Sequence, residues 1–448
     1  TKEARTRARE KAIFKLYSNG IVTARDDWAV SFDKVDVSDK VGHLIQHYQR
    51  EQARWRVSLE SGIKDAAVRL EKLAKFVDRS IKWTSELEAH LDRGTILNLN
   101  AARIVPTAYR PFTRPFCYYD RVIVHRLYQQ NEIYPIGNKI NNIAIGFSGI
   151  SSSKQFQALS VDCVPSYDFL EKTQFLPRYR YTPSGERVDN ITDWALKEFH
   201  KAYGKDGRGT PKKAGAEVNE GAISPLEGEM SAKPTEGGEQ PSRETPPSAL
   251  PGISPSRGEI GQGHQSRTLG KDDIFHYVYA VLHDPLYREK YAINLKREFP
   301  RIPFYSDFWK WAAWGEALMA LHIGYETVEP WPLTRTDTPD EKARAAGVAP
   351  KALLKADRDN GIIRLDTETQ LSGIPRKAWD YRLGNRSGLD WILDQYREKT
   401  PKDPTIREKF NTYRFADYKE KVIDLLMRVT RVSVETVAIM EAMKEARR

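Results

Sequence analysis

Cysteine is almost missing from this sequence: Cys117 and Cys163 are the only two in 448 residues. Two thiols build no disulfide framework in a chain this long, and the nine histidines are too scattered for a metal-finger spacing. Both cysteines read as free thiols of a reducing cytoplasm. Long apolar runs are missing as well. None approaches the roughly 18 residues of a membrane span, and no secretory leader is visible. No membrane partner is therefore expected. There is no G-x-x-x-x-G-K-[ST] phosphate loop, which argues against a nucleotide-driven motor. There is no Asn-Pro-Pro-aromatic element, which an adenine-N6 methyltransferase needs to hold a flipped base. Ile145-Gly146-Phe147-Ser148-Gly149 matches a cofactor loop poorly and reads as a strand running into a turn. No motif supports a Ser-His-Asp or Cys-His site. The sequence opens on Thr1-Lys2-Glu3 without a Met, which reads as a piece of a longer product.

What is present is positive charge and aromatic rings. Lys and Arg number 71 against 61 Asp and Glu, a net charge of +10, with 10 Trp, 21 Tyr and 16 Phe. A basic balance favours polyanionic partners, nucleic acid first and anionic membrane surfaces second. The length predicts more than one domain, each able to bury a core.

Residues 1–11 are nearly all charged or polar and read as a flexible lead-in. Ala12–Tyr17 is a short apolar run ending at the turn signal Ser18-Asn19-Gly20, and Trp28–Phe32 alternates like a strand. From Val41 to about Leu91 the apolar spacing turns helical. Lys64, Arg69, Lys72, Lys75, Arg79 and Lys82 lie between those apolar positions. They form either a basic stripe or a solvated face offset by Asp65, Glu71 and Asp78. Between 100 and 180 short β-type runs dominate: Phe116–Tyr119, Val122–Val124 and Ile143–Phe147. The stretch 204–271 is foreign in texture. It has no aromatic residue, and Ile223-Ser224-Pro225 is echoed at Ile253-Ser254-Pro255. Such a segment cannot bury enough apolar surface to offset chain entropy and is expected to be disordered. It reads as a translated palindromic repeat inserted into the gene. After Lys271 helical patterning resumes, with Asp284-Pro285 opening one helix and Ser306-Asp307 another. Residues 327–348 read as a polar, Pro-containing stretch, and 361–373 as a short strand and a turn. The tail from Thr405 is amphipathic.

One constellation combines both surpluses. Tyr109-Arg110-Pro111-Phe112-Thr113-Arg114-Pro115-Phe116-Cys117-Tyr118-Tyr119-Asp120-Arg121 carries three Arg and five rings, with Arg126 and Tyr128 close behind. An Arg fork pairs with a guanine edge or clamps a phosphate, and rings pack on sugars or bases. The other reading is a β-hairpin whose rings fill a core and whose Arg face water. A second patch is Phe175–Tyr181 with Arg178. A third is Leu383-Gly384-Asn385-Arg386-Ser387, where Asn385 suits adenine and a helix-capping turn is the plainer alternative.

These residues also resemble the Y-R-P-F…Y-Y-D…R element of type ISP restriction–modification enzymes. The likeness continues through Phe169–Gln174 and Arg187–Asp193. It resumes after the insertion at Asp273–His283, Leu295–Pro303, Leu371–Pro375, Leu383–Ser387 and Pro404–Asn411. The resemblance implies the C-terminal target-recognition region of a single-chain fusion. Upstream would lie a nuclease, an ATP-driven translocase, a coupler and an adenine-N6 methyltransferase. It implies double-stranded DNA and those upstream domains as partners. It implies no cofactor here, with S-adenosylmethionine, ATP and Mg²⁺ held upstream. The expected fold is α+β: a mixed, β-rich lobe at 12–203 and a largely α-helical lobe at 272–448, separated by the insertion. The expected DNA-binding residues are Arg110, Arg114, Tyr118, Arg121, Arg126, Tyr128, Lys154, Arg178, Asn385 and Arg386, with no catalytic and no metal site. Two alternatives stand beside this: a methyltransferase fragment whose motifs lie just upstream, and a scaffold or decayed remnant without DNA affinity.

Overall fold

A computed structural model describes residues 11–58, 65–138, 141–211 and 267–448. Helical spacing of Val37, Val41, Leu44, Ile45, Tyr48 and Trp55 puts six side chains on one buried face of the helix Lys34–Ser58. Two shorter helices, Ala66–Phe76 and Ser85–Asp92, complete this layer. Each has a capped start: Asp65 accepts from the Ala67 amide, and Thr84 from the Leu87 amide. Trp28–Phe32 is not one strand. Asp26–Ala29 forms a helical turn, and only Val30–Ser31 is extended. Val122–Val124 is likewise no strand. The Asp120 carboxylate accepts from the amides of Val122 and Ile123 and folds the chain into a turn.

Two four-stranded sheets follow, the second packed on this helical layer. One runs Ser18–Asn19, Gln174–Pro177, Ala144–Phe147, Ala158–Val161, antiparallel throughout. The other runs Val30–Ser31, Phe116–Tyr118, Ile104–Ala108, Val164–Pro165, with only its last pair parallel.

The C-terminal half is largely helical. The helices Lys271–Val281 and Phe308–Ile323 touch so closely that a Cβ on Gly315 would lie 1.8 Å from the His276 carbonyl oxygen. Between Thr334 and Ser372 the chain makes a four-stranded antiparallel sheet of Thr334–Asp337, Thr369–Ser372, Ile362–Asp366 and Ala352–Asp357. The polarity of 327–348 reflects a solvent-facing edge strand, since Thr334–Asp337 is exposed along its whole length. A hairpin, Arg382–Leu383 with Arg386–Ser387, leads into the helix Gly388–Gln395. The 30-residue helix Phe415–Lys444 closes the fold.

The cores do not divide at 204–271. One apolar cluster joins Ile13, Phe14, Phe147 and Phe199 to Tyr277, Phe304 and Trp311. Another joins Phe112, Leu159 and Phe175 to Leu371, Leu389 and Leu426. A buried polar chain crosses the same seam. The Tyr279 hydroxyl accepts from the Ser160 amide and bonds His322 Nδ1, while His322 Nε2 meets Thr436 and Tyr381. The flanks of the expected insertion are packed. Leu269 is buried, its amide bonds the Lys205 carbonyl, and Trp309 donates to the Asp206 carbonyl. The body of that segment, 212–266, and the lead-in 1–10 lie outside the described residues. Among the described residues no helix is long and apolar enough to cross a membrane.

Candidate nucleic-acid interface

Four loops and a hairpin meet at the open ends of the two N-terminal sheets. Arg126 exchanges backbone hydrogen bonds with Val22, and the Tyr167 amide bonds Ile21 next to it. The Tyr128 ring stacks on Tyr167 at 6.3 Å. The loop that follows Tyr167 returns at Glu171, whose carbonyl accepts from Gly149. Gly149 is a contact only glycine fits, since a Cβ there would lie 1.9 Å from the Lys172 carbonyl oxygen. From Ser148 the link passes to Gln157, and Gln157 Nε2 sits 3.2 Å from where a Gly384 Cβ would be. Gly384 (φ +74°) and Asn385 form the two-residue tip of the hairpin, a turn that needs positive φ at its first position.

Backbone strain concentrates here. Seven non-glycine residues among those described have positive φ, and Phe112, Tyr128, Ser151, Glu171 and Lys172 all lie in these loops. Each costs on the order of 1 kcal/mol and persists only where surroundings over-determine it, as at binding sites. The surface is cationic. Arg126, Lys172 and Arg382 are exposed, and Lys154 is half-buried. Arg110 lies over the Tyr109 ring at 4.2 Å, with Asp168 at 4.0 Å. Asp168 and Glu171 are the opposing charges.

The family model for the type ISP C-terminal specificity domain matches residues 12–425. The chain belongs to this family. No curated protein sequence matches it. Among solved structures, this specificity domain is similar to the protein in a cryo-EM DrdV–DNA complex, at 43% identity and a TM-score of 0.75 over 97% of this chain and 36% of that one. It is similar in fold to LlaGI, a type ISP restriction–modification enzyme solved as a nuclease-deletion mutant with a DNA substrate mimic. That match has 23% identity, a TM-score of 0.69, and covers 96% of this chain and 33% of that one. It is similar in fold to LlaBIII, an ATP-dependent type ISP enzyme bound to DNA, at 21% identity and a TM-score of 0.67, covering 96% and 23%. The domain thus spans about a third of these chains or less.

Within the specificity domain the ten sequence-predicted residues separate. Arg110, Arg126, Tyr128, Lys154 and Asn385 belong to the strained surface. Arg386 stands beside it with its guanidinium on Asp394 (3.0 Å) and over the Trp391 ring (4.9 Å). Arg121 is exposed and ion-pairs with nothing among the described residues. It edges a separate polar groove of about 940 Å³ that Asn98, Asn100, Asn131 and Asn138 also line. Three residues are placed in structural roles instead. Tyr118 is 1% exposed, and its hydroxyl accepts from the Asn100 amide, so the ring is core. Arg178 is 7% exposed and held between Asp189 at 2.6 Å and Asp272, which ties the first lobe to the second. Arg114 pairs with Asp162 at 2.8 Å and Glu326 at 3.4 Å. None of these three can reach a duplex without giving up those bonds.

The suspected basic stripe of the helical layer is mostly neutralised in the specificity domain. Arg69 pairs with Asp92, Lys75 with Glu71 and Arg79 with Glu88; Lys64 lies outside the described residues. Sequence reading missed Lys172, Arg382 and Tyr167, which come to the surface only through loop packing. Ser151-Ser152-Ser153 beside Lys154 carried a signal, since hydroxyls next to a cation suit phosphate contact.

Proposed function

We propose that this chain reads double-stranded DNA as the specificity region of a larger type ISP restriction–modification enzyme. The observation that carries the reading is the strained cationic surface, supported by the likeness to a DrdV chain solved with DNA. Arg110, Arg126, Lys154, Lys172 and Arg382 would neutralise phosphates and fix register. Asn385, on a rigid turn tip, has the donor–acceptor pair that reads an adenine edge, and Tyr128 offers a ring face. Adenine-N6 methylation and ATP-dependent cleavage would belong to upstream domains of the parent chain. S-adenosylmethionine, ATP and Mg²⁺ would be held there, and no residue of this chain is assigned to them. The place of action would be the cytoplasm.

The test is affinity for a labelled duplex of about 30 base pairs as salt is varied. Five phosphate-neutralising cations give a log–log slope of about −4.5, so affinity should fall about 10²–10³-fold between about 50 and 200 mM salt. Binding at low salt no stronger than that of a control protein of equal net charge contradicts the reading.

A further inference from the structure

The loop pair 149–154 and 167–173 surrounds one carboxylate with an unusual set of donors. Glu171 Oε2 accepts from Ser152 Oγ at 2.8 Å, and Oε1 accepts from Ser153 Oγ at 2.9 Å and from the Ser153 amide at 3.4 Å. Lys154 follows directly, its own amide turned onto Ser152 Oγ. Lys172 Nζ crosses to the Ser151 carbonyl at 3.1 Å. Two hydroxyls and an amide on one oxyanion, with Lys154 near enough to act on its charge, form the kind of cradle that takes a phosphate. Partial burial works against the Glu171 charge, yet the Ser152 and Ser153 bonds and the nearby Lys154 hold its carboxyl below the ordinary range. The cradle is filled at the cost of strain. Ser151, Glu171 and Lys172 have φ of +64°, +88° and +51°. A cross-loop staple alone does not need left-handed backbone at three residues.

We propose that Glu171 is a built-in stand-in for a DNA phosphate. In the free chain its carboxylate occupies the Ser152–Ser153–Lys154 cradle; on the duplex a backbone phosphate takes those donors and Glu171 swings to solvent. This rests on the loop surface being the DNA-binding face. The consequence is selective. An incoming phosphate must displace an internal anion, which weakens contact with DNA that offers no further interactions, while a cognate site supplies base contacts that offset the displacement.

The experiment compares duplex affinity and melting temperature for the native chain, Glu171→Gln, Ser153→Ala and the double variant at about 100 mM salt. Glu171→Gln keeps the size of the side chain and removes the competing charge. It should bind non-cognate duplex about three- to tenfold more tightly, and the gain should vanish in the Ser153→Ala background. Inorganic phosphate at about 10 mM should erode the gain as well, because the cradle recognises the phosphate group itself. A gain that survives both Ser153→Ala and phosphate is simple charge removal and overturns the stand-in role. So does a Glu171→Gln chain of native melting temperature that binds no better than the native chain. If the native chain binds no duplex, the DNA-reading assignment fails first and this proposal with it. If Glu171→Gln does not fold, Ser153→Ala decides: weaker binding at unchanged melting temperature supports the cradle, and unchanged binding overturns it.

Discussion

Replacing Arg448 by alanine should cost about 3–5 kcal/mol of folding stability. Its guanidinium holds Asp284 through two bonds, Nη2 to Oδ1 at 2.5 Å and Nε to Oδ2 at 3.0 Å. Asp284 is fully buried, so its charge has no solvent to fall back on. It also accepts from the Tyr305 hydroxyl at 2.8 Å and caps the helix Pro285–Lys290 through the Leu286 amide. Removing the cation leaves a buried carboxylate with neutral donors only, and breaking such a pair costs about that much. Arg448→Lys should recover part of the loss, because a lysine supplies one point contact where the guanidinium supplies a fork. Urea unfolding measures both. A loss below about 1 kcal/mol for the alanine variant would show that the buried Asp284 carboxylate does not depend on Arg448.

Mild acid should be the second large effect. His322 and His283 are buried and neutral in the seam between the lobes. Burial, reinforced by Arg288, lowers His322 to about 3. Burial, Arg288 and His322 lower His283 well below its ordinary value. In the unfolded chain both titrate near about 6.5. The sign follows from linkage: below about pH 6.5 the unfolded state binds protons that the folded state refuses. Stability is therefore whole above that pH and falls as acid is added. The cost per histidine rises toward about 1.4 kcal/mol per pH unit as the unfolded side chain becomes fully protonated, so the pair should remove up to about 3 kcal/mol between about pH 6.5 and 5. Denaturant midpoints across that range check this, and His322→Gln should flatten the slope by about half. A slope unchanged in His322→Gln contradicts the assignment.

The sequence makes the local part of this structure readable. Apolar spacing marks the helix Lys34–Ser58 from Val41 onward and the helix Lys271–Val281, the Asp284-Pro285 pair marks a helix start, and Ile143–Phe147 contains a true strand. Long-range partners are what it hides. Arg114 and Arg178 look as free as Arg110 in sequence. The residues that claim them lie elsewhere: Asp162 is 48 positions from Arg114, and Asp272 is 94 from Arg178. Tyr118 fails for a related reason. Its run reads equally well as a reading surface or as core, and only the packing of the helical layer against that sheet decides. Of the sheet from Thr334 to Ser372, the strand Ile362–Asp366 is readable, while the exposed edge Thr334–Asp337 is hidden because its polar residues mimic a loop. The strained loops are the least readable part, because positive φ at Ser151, Glu171 and Lys172 is imposed by contact between segments that no local pattern connects.

The proposed DNA-binding face is built by the loops around Arg110, Arg126–Tyr128, Gly149–Gln155, Tyr167–Thr173 and the hairpin Arg382–Ser387. Backbone hydrogen exchange of the native chain, with and without saturating duplex, tests it most directly. Slowed exchange is expected in those five segments, with little change along the ion-paired helices Ala66–Phe76 and Ser85–Asp92. Protection confined to those helices or to the sheet Thr334–Ser372, with the five segments unchanged, would contradict the account.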